Sequence, residues 1–178
     1  ELMTASGGTK LSVLTLAFMK DSGHYDVDYS KAQEITFAKQ AGCGFIDSKC
    51  NTASGGKDEW FCFDTDNTNR YCTFDHKAIG YCSVGTYGSA LPAHFQYFSN
   101  PNLGGVEFVD QCPIVNGYNN RICNQDSQAT SNNEQLALNQ QGYYFGNGGR
   151  CFSTSGIVQA NLNLQSDTST RCFESRCP

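Results

Sequence analysis

The sequence has no apolar run approaching the roughly 20 residues that a membrane-crossing helix needs, so nothing in it reads as a transmembrane span. It has no cluster of Lys or Arg. Its 12 basic residues are outnumbered by 17 acidic ones, for a formal charge of −5, and that balance argues against a nucleic-acid-binding surface. No start methionine, charged leader or signal-peptide core stands at the beginning, and no hydrophobic anchor tail at the end, so both ends read as cut. Asn-x-Ser/Thr is missing throughout, and N-glycosylation within this stretch is not expected. Histidine is scarce, and His24, His76 and His94 read as structural or surface residues rather than metal ligands. Also absent is the Cys-x2-Cys knuckle of structural zinc sites.

What the sequence does have is cysteine. Ten occur in a chain of 178 residues rich in Gly, Asn, Ser and Thr. Their spacings, Cys43-x6-Cys50, Cys62-x9-Cys72-x9-Cys82 and Cys172-x4-Cys177, suit disulfides better than metal clusters and point to an oxidising compartment. The length can bury a core as one domain or as a large and a small one. Composition changes at Asn51-Thr52-Ala53-Ser54-Gly55-Gly56-Lys57, a loop with no core-forming residue. A boundary there divides the chain into residues 1–48 and a disulfide-rich part, residues 49–178.

The apolar spacing of Leu11, Val13, Leu14, Leu16, Ala17, Phe18 and Met19 up to Gly23 predicts an amphipathic helix. His24 to Tyr29 alternates and is expected as a short strand, with Ser30 heading a capping turn through Glu34. Trp60-Phe61-Cys62-Phe63 is expected as a strand. Asp64 to Asn69 reads as a solvated acidic turn, because it lacks the Gly and Glu of a helix–loop–helix calcium site. A turn ahead of Phe108 is expected to lead into a buried strand through Val115, and Asn116 to Asn120 reads as the next turn. Ser131-Asn132-Asn133-Glu134 resembles a capping box opening a brief helix that stops at Gly142. The fold class expected is α+β: one helix, then a loop-rich, disulfide-stapled region of short antiparallel strands.

Glu1-Leu2-Met3-Thr4-Ala5, ahead of the helix, fits the short Met-containing turn that metzincin zinc proteases keep beneath their metal. Alone, it also reads as a buried methionine at a helix entry. Further motifs add to it: Asp21-Ser22-Gly23-His24-Tyr25, Asp28-Tyr29-Ser30-Lys31-Ala32-Gln33-Glu34, Ala41-Gly42-Cys43-Gly44-Phe45 and Cys50. Phe95-Gln96-Tyr97-Phe98, Asp110-Gln111-Cys112-Pro113-Ile114-Val115, Tyr144-Phe145-Gly146, Arg150-Cys151-Phe152, Cys172 and Cys177 follow in order. Taken together the chain resembles the leishmanolysin family of zinc metalloproteases over nearly its whole length. It departs from the family at Phe37-Ala38, where Trp-Gly is usual, and at His24, where an aromatic is usual; both bear on packing alone.

The resemblance implies a secreted or cell-surface zinc metalloendopeptidase whose catalytic zinc is held by His-Glu-x-x-His and a third, distant His, with the Glu as general base. Those residues are expected upstream of this chain, which would hold the Met-turn, the end of the catalytic domain and a C-terminal domain. Met3 would form the apolar floor of the zinc site without doing chemistry, and Thr4, Ala5 and Ser6 would border the substrate pocket. The chain alone is expected to bind no zinc and to lack activity. The family pattern implies disulfides Cys50–Cys112, Cys62–Cys82, Cys72–Cys151 and Cys123–Cys172, with Cys43 and Cys177 bonded to cysteines outside the chain. The partners implied are the upstream catalytic part and protein substrates or extracellular proteins. An alternative reading is a family member without catalysis, acting as a structural or adhesive component of an extracellular assembly. A third is an unrelated disulfide-stabilised binding module.

Overall fold

The computed structural model describes residues 10–52, 59–125, 143–154, 157–159, 162–165 and 170–176. The chain divides into two compact units, Glu1–Gln40 and Ala41–Pro178.

The first unit is organised by helix α1, Val13–Asp21. Ser12 is its N-cap: held extended, its hydroxyl oxygen accepts from the backbone N–H of Leu14 at 3.1 Å and of Thr15 at 3.4 Å, satisfying donors that have no partner within the helix. Lys20 stands in the last turn, where a cation suits the negative end of the helix dipole. Gly23 follows in the left-handed region at φ 74° and ends the helix, its N–H reaching the Lys20 carbonyl at 3.0 Å. Thr15 and Leu16 are buried, whereas Val13, Leu14 and Phe18 are exposed. The expected strand from His24 to Tyr29 is not formed. Among the described residues of this unit there is no strand for it to pair with, and the Asp28 carboxylate instead caps a short 3-10 turn at Tyr29–Lys31 by accepting from the Ser30 N–H at 2.9 Å. Asp28, and not Ser30, is therefore the cap. Gln33 closes the unit against the residues ahead of the helix, its N–H donating to the Leu11 carbonyl at 2.7 Å.

Among the described residues of the second unit a one-turn helix α2, Cys43–Ile46, is followed by nine short strands. β1 (Tyr71–Cys72), β2 (Ala78–Cys82) and β5 (Val115–Ile122) form an antiparallel sheet in the order β1-β2-β5. β3 (Gly85–Thr86) pairs with β4 (Leu103–Gly104), β6 (Gly149–Ser153) with β9 (Thr170–Glu174), and β7 (Ile157–Gln159) with β8 (Leu162–Gln165), all antiparallel. The chain has the α+β, disulfide-stapled architecture of short strands that its sequence implies.

Three expectations are corrected here. Trp60 to Phe63 is not a strand: the segment is tied to the sheet through the Cys62 N–H on the Pro113 carbonyl at 3.0 Å, and its rings stack on other rings instead of extending a ladder. Phe108 lies in a 3-10 turn, Glu107–Val109, and the strand begins only at Val115. Asn116 to Asn120 is not a turn but part of β5. Its turn-forming residues have a different outlet: Gly80 pairs with Gly117 and Ala78 with Ile122, so β5 carries surplus residues between Gly117 and Ile122 and bulges. The brief helix expected at residues 131–142 lies outside the described residues.

The core is small and sulfur-rich: Ile79, Cys123, Phe145, Cys151 and Cys172, with Cys72 and Tyr143 against it. Disulfides join Cys50 to Cys112, Cys62 to Cys82, Cys72 to Cys151 and Cys123 to Cys172. Cys151 and Cys172 face each other across β6 and β9, so two bridges fan out from one point of that ribbon to β1 and to the end of β5. Backbone bonds fill the gaps, with Cys151 N–H on the His76 carbonyl and Cys123 N–H on the Lys77 carbonyl, both at 2.7 Å. Close approach demands glycine at several points, Gly80 and Gly149 among them. A Cβ at Gly80 would stand 2.2 Å from the Asn116 carbonyl oxygen, and one at Gly149 2.0 Å from that of Cys123.

Candidate functional site

Met3, Thr4, Ala5 and Ser6 lie outside the described residues, as does Cys177. Cys43 is an exposed, unbridged thiol. The histidines are dispersed: His24 follows the end of α1, His94 lies in a 3-10 turn at Ala93–Phe95, and His76 sits at the β1–β2 turn with φ 55°. His76 is fixed by a 2.7 Å contact from Nδ1 to the Cys151 carbonyl oxygen. A carbonyl can only accept, so Nδ1 carries the proton. Among the described residues no three His, Cys, Asp or Glu come together in a way that could hold a metal ion.

One concavity of the second unit is aromatic. It is a cleft of about 550 Å³ lined by Trp60, Phe61, Phe63, Tyr71, Phe74 and His76, among others. Two disulfides set its walls: Cys62–Cys82 holds the Trp60–Phe63 segment onto β2, and Cys72–Cys151 holds β1 onto β6. The rings support one another, Trp60 with Phe74 at 6.4 Å, Phe61 with Phe45 at 5.8 Å and Phe63 with Phe98 at 5.6 Å between centroids, in the offset and tilted arrangements that ring quadrupoles favour. The sequence shows the aromatics, but the residues that enclose the cleft are brought together by the disulfides, and their spacing alone does not reveal it.

Beside the cleft the acidic turn is built as a local hydrogen-bond knot. The Asp64 carboxylate accepts from the Tyr71 hydroxyl, from Asn69 Nδ2 at 2.6 Å and from the Asp66 N–H at 2.8 Å. These bonds, the Tyr71 hydroxyl foremost, hold the Asp64 pKa below the usual 3.8. The same bond, with partial burial and the Asp64 charge, pushes the Tyr71 phenol up to about 12. Asp66 is lowered likewise by the Thr68 hydroxyl and N–H. The carboxylates are thus consumed in shaping the turn. Ser153 and His76 both line the cleft, but no hydrogen bond joins them and the His76 Nδ1 is committed to the backbone. The arrangement offers apolar surface and shape, with no activated nucleophile among its described residues.

The family model described as Peptidase_M8: Leishmanolysin matches residues 1–178. Among curated proteins the chain is similar to leishmanolysin of Leishmania tropica, with 34% identity over 97% of this chain and 28% of that protein. It is similar to leishmanolysin of Leishmania major at 33%, over 97% of this chain and 30% of the relative. A leishmanolysin-like peptidase of Drosophila melanogaster matches at 29%, over 81% of this chain and 24% of that protein. The chain spans under a third of the length of these relatives.

Proposed function

The chain belongs to the leishmanolysin family, and from that premise we propose that it is the C-terminal part of a zinc metalloendopeptidase, secreted or on the cell surface, whose zinc ligands and general base lie upstream of residue 1. The observation that carries the reading is the family match along all 178 residues, joined to alignments that take up only 28% to 30% of the Leishmania relatives. The described residues do not fit a zinc site, since the histidines are dispersed and no ligand group is assembled. No step of peptide hydrolysis is therefore assigned to them. In this proposal Met3 floors the metal site from below, and Thr4, Ala5 and Ser6 border the substrate pocket. Cys43, whose thiol is exposed, bonds to a cysteine upstream, and Cys177 to one downstream. The described part of the chain serves as a cross-linked support for the catalytic half, which is its first partner.

The test is a peptidase assay on the intact protein. Cleavage of a protein substrate is expected, with loss on chelation and recovery on adding zinc, while the 178-residue chain alone stays inactive. Zinc-dependent cleavage by the isolated chain would overturn the placement of the ligands. An intact protein that is folded, metal-replete and inert would instead mark a family member retained as an extracellular scaffold.

A further inference from the structure

Asn-Gly occurs twice in the sequence, at Asn116-Gly117 and Asn147-Gly148. In such a pair the glycine amide nitrogen has no Cβ beside it to hinder its approach to the asparagine side-chain carbonyl carbon. Both asparagines are exposed, but the fold holds the two pairs differently. Asn116-Gly117 lies in β5, where Asn116 pairs with Tyr81 and Gly117 with Gly80 of β2. Its peptide unit is pressed against that strand: a Cβ at Gly80 would meet the Asn116 carbonyl oxygen at 2.2 Å and the Gly117 Cα at 2.9 Å. A Cβ at Gly117 would in turn stand 3.1 Å from the Ala78 methyl carbon and 3.2 Å from Thr73 Cγ2. The Asn116 side chain is also engaged, its Nδ2 donating to the Tyr81 hydroxyl at 3.4 Å.

Asn147-Gly148 sits instead at the tip of the turn that leads into β6. The Gly149 N–H closes the turn on the Gly146 carbonyl at 2.8 Å, and Gly148 takes its third position at φ 83°, a conformation that such a turn reserves for glycine. The turn is held by its flanks. The Gly146 N–H donates to the Cys123 carbonyl at 2.9 Å, and the Gly148 carbonyl accepts from the Ser175 N–H at 2.9 Å and hydroxyl at 2.7 Å. Among the described residues neither the Gly148 N–H nor the Asn147 side chain has a hydrogen-bond partner, so both reacting groups are uncommitted. The Asn147 carbonyl accepts from the Tyr144 hydroxyl at 3.0 Å, and a donor there favours the negative charge that this oxygen gains when the Gly148 N–H of the same amide loses its proton. Ring closure needs the chain to rotate at the asparagine. An exposed turn opens at small cost, whereas Asn116 would have to leave its ladder.

We propose that Asn147 is a site of self-modification in the folded protein, converting through a succinimide with Gly148 to aspartate and isoaspartate, while the β2–β5 ladder shields Asn116. The Gly148 amide nitrogen loses its proton to hydroxide and bonds to Asn147 Cγ. The Cγ–Nδ2 bond breaks, and Nδ2 takes up a proton from water and leaves as ammonia. Water then opens the ring: attack at Cγ gives aspartate, and attack at the main-chain carbonyl carbon gives isoaspartate. Each product adds a negative charge. Isoaspartate also routes the main chain through Cβ and Cγ, lengthening the turn where the Gly148 carbonyl meets Ser175, just beyond β9.

This inference stands apart from the proposed peptidase activity. The experiment incubates the folded, intact protein at mildly alkaline pH and follows amide-to-acid conversion at both pairs by peptide mapping with mass spectrometry. The same protein, reduced and unfolded in denaturant, is the comparator. In the folded protein Asn147 should convert about tenfold faster than Asn116 or more, the protection that about 1.4 kcal/mol of ladder-opening cost gives. Conversion should quicken as pH rises, because the deprotonated amide is the nucleophile. In the unfolded chain the two rates should converge, since the fold no longer distinguishes the pairs. Retention of all four disulfides, checked by non-reduced mapping, verifies that the folded sample stays folded. Equal rates in the folded protein, a faster Asn116, no conversion at Asn147 while the unfolded chain converts, or a rate that does not rise with pH would each overturn the assignment.

Discussion

Asp64 and Tyr71 show how a single pair sets a local pH response. Because the folded-state pKa of Asp64 lies below 3.8, its contribution is present above the ordinary Asp range and is lost as pH falls through the lowered value. Tyr71 has the opposite sign: with its pKa raised from 10.0 to about 12, its hydrogen bond is intact below pH 10 and is lost as pH climbs toward 12. Tyr97 is also raised, by burial and the Asp110 charge, so a spectrophotometric titration of phenolate absorbance should show late-titrating tyrosines, and Tyr71→Phe should remove the component near 12 while leaving the rest of the curve in place. The acidic character of this turn is legible in the sequence. The partner is not, since Tyr71 reaches Asp64 only because residues 64–70 fold back on themselves.

Helix α1 illustrates what periodicity conveys and where it stops. The apolar spacing locates the helix, yet its start is set by one hydroxyl at Ser12, and its spacing does not distinguish the buried Leu16 from the exposed Leu14 and Phe18. Ser12→Ala should lower stability by about 1 kcal/mol, the usual cost of an N-cap, measurable by chemical denaturation followed by far-UV circular dichroism. Strands are harder to read here. Most are two to five residues long, too short to show an alternation, and Gly117, Tyr118, Asn119 and Asn120 carry the composition of a turn while sitting in a bulged strand. In this chain pairing is imposed by tertiary links, so local propensity misplaces Trp60–Phe63 and residues 116–120. Gly80→Ala tests the β2–β5 contact directly: its Cβ would meet the Asn116 carbonyl at 2.2 Å, and a loss of about 1–3 kcal/mol is expected from the forced shift, seen as a lower denaturation midpoint with the disulfides intact.

Across the whole molecule the family and the cross-linked character are legible, the first from an ordered set of motifs and the second from cysteine count. Which cysteine meets which is not written in the spacing, and the aromatic cleft is not either, because its walls are segments that disulfides bring together. The longest bridge carries the most weight. Cys72–Cys151 spans 79 residues, and replacing both cysteines by serine should cost about 4 kcal/mol in the chain-entropy picture, read as a fall in the thermal midpoint.

The four bridges also fix what a cut chain would release. A nick within residues 53–58 is spanned by Cys50–Cys112, and one within residues 126–142 by Cys72–Cys151 and Cys123–Cys172. A doubly nicked second unit should thus migrate as one species on non-reducing electrophoresis and fall into pieces only when reduced. Residues 1–40 contain no cysteine, so after cleavage of the isolated chain between Gln40 and Ala41 no covalent bond joins them to the rest. In the intact protein the proposed bond from Cys43 to the upstream part would bypass that cut and hold the severed halves together. The same incision would then shed mass from the fragment and none from the parent.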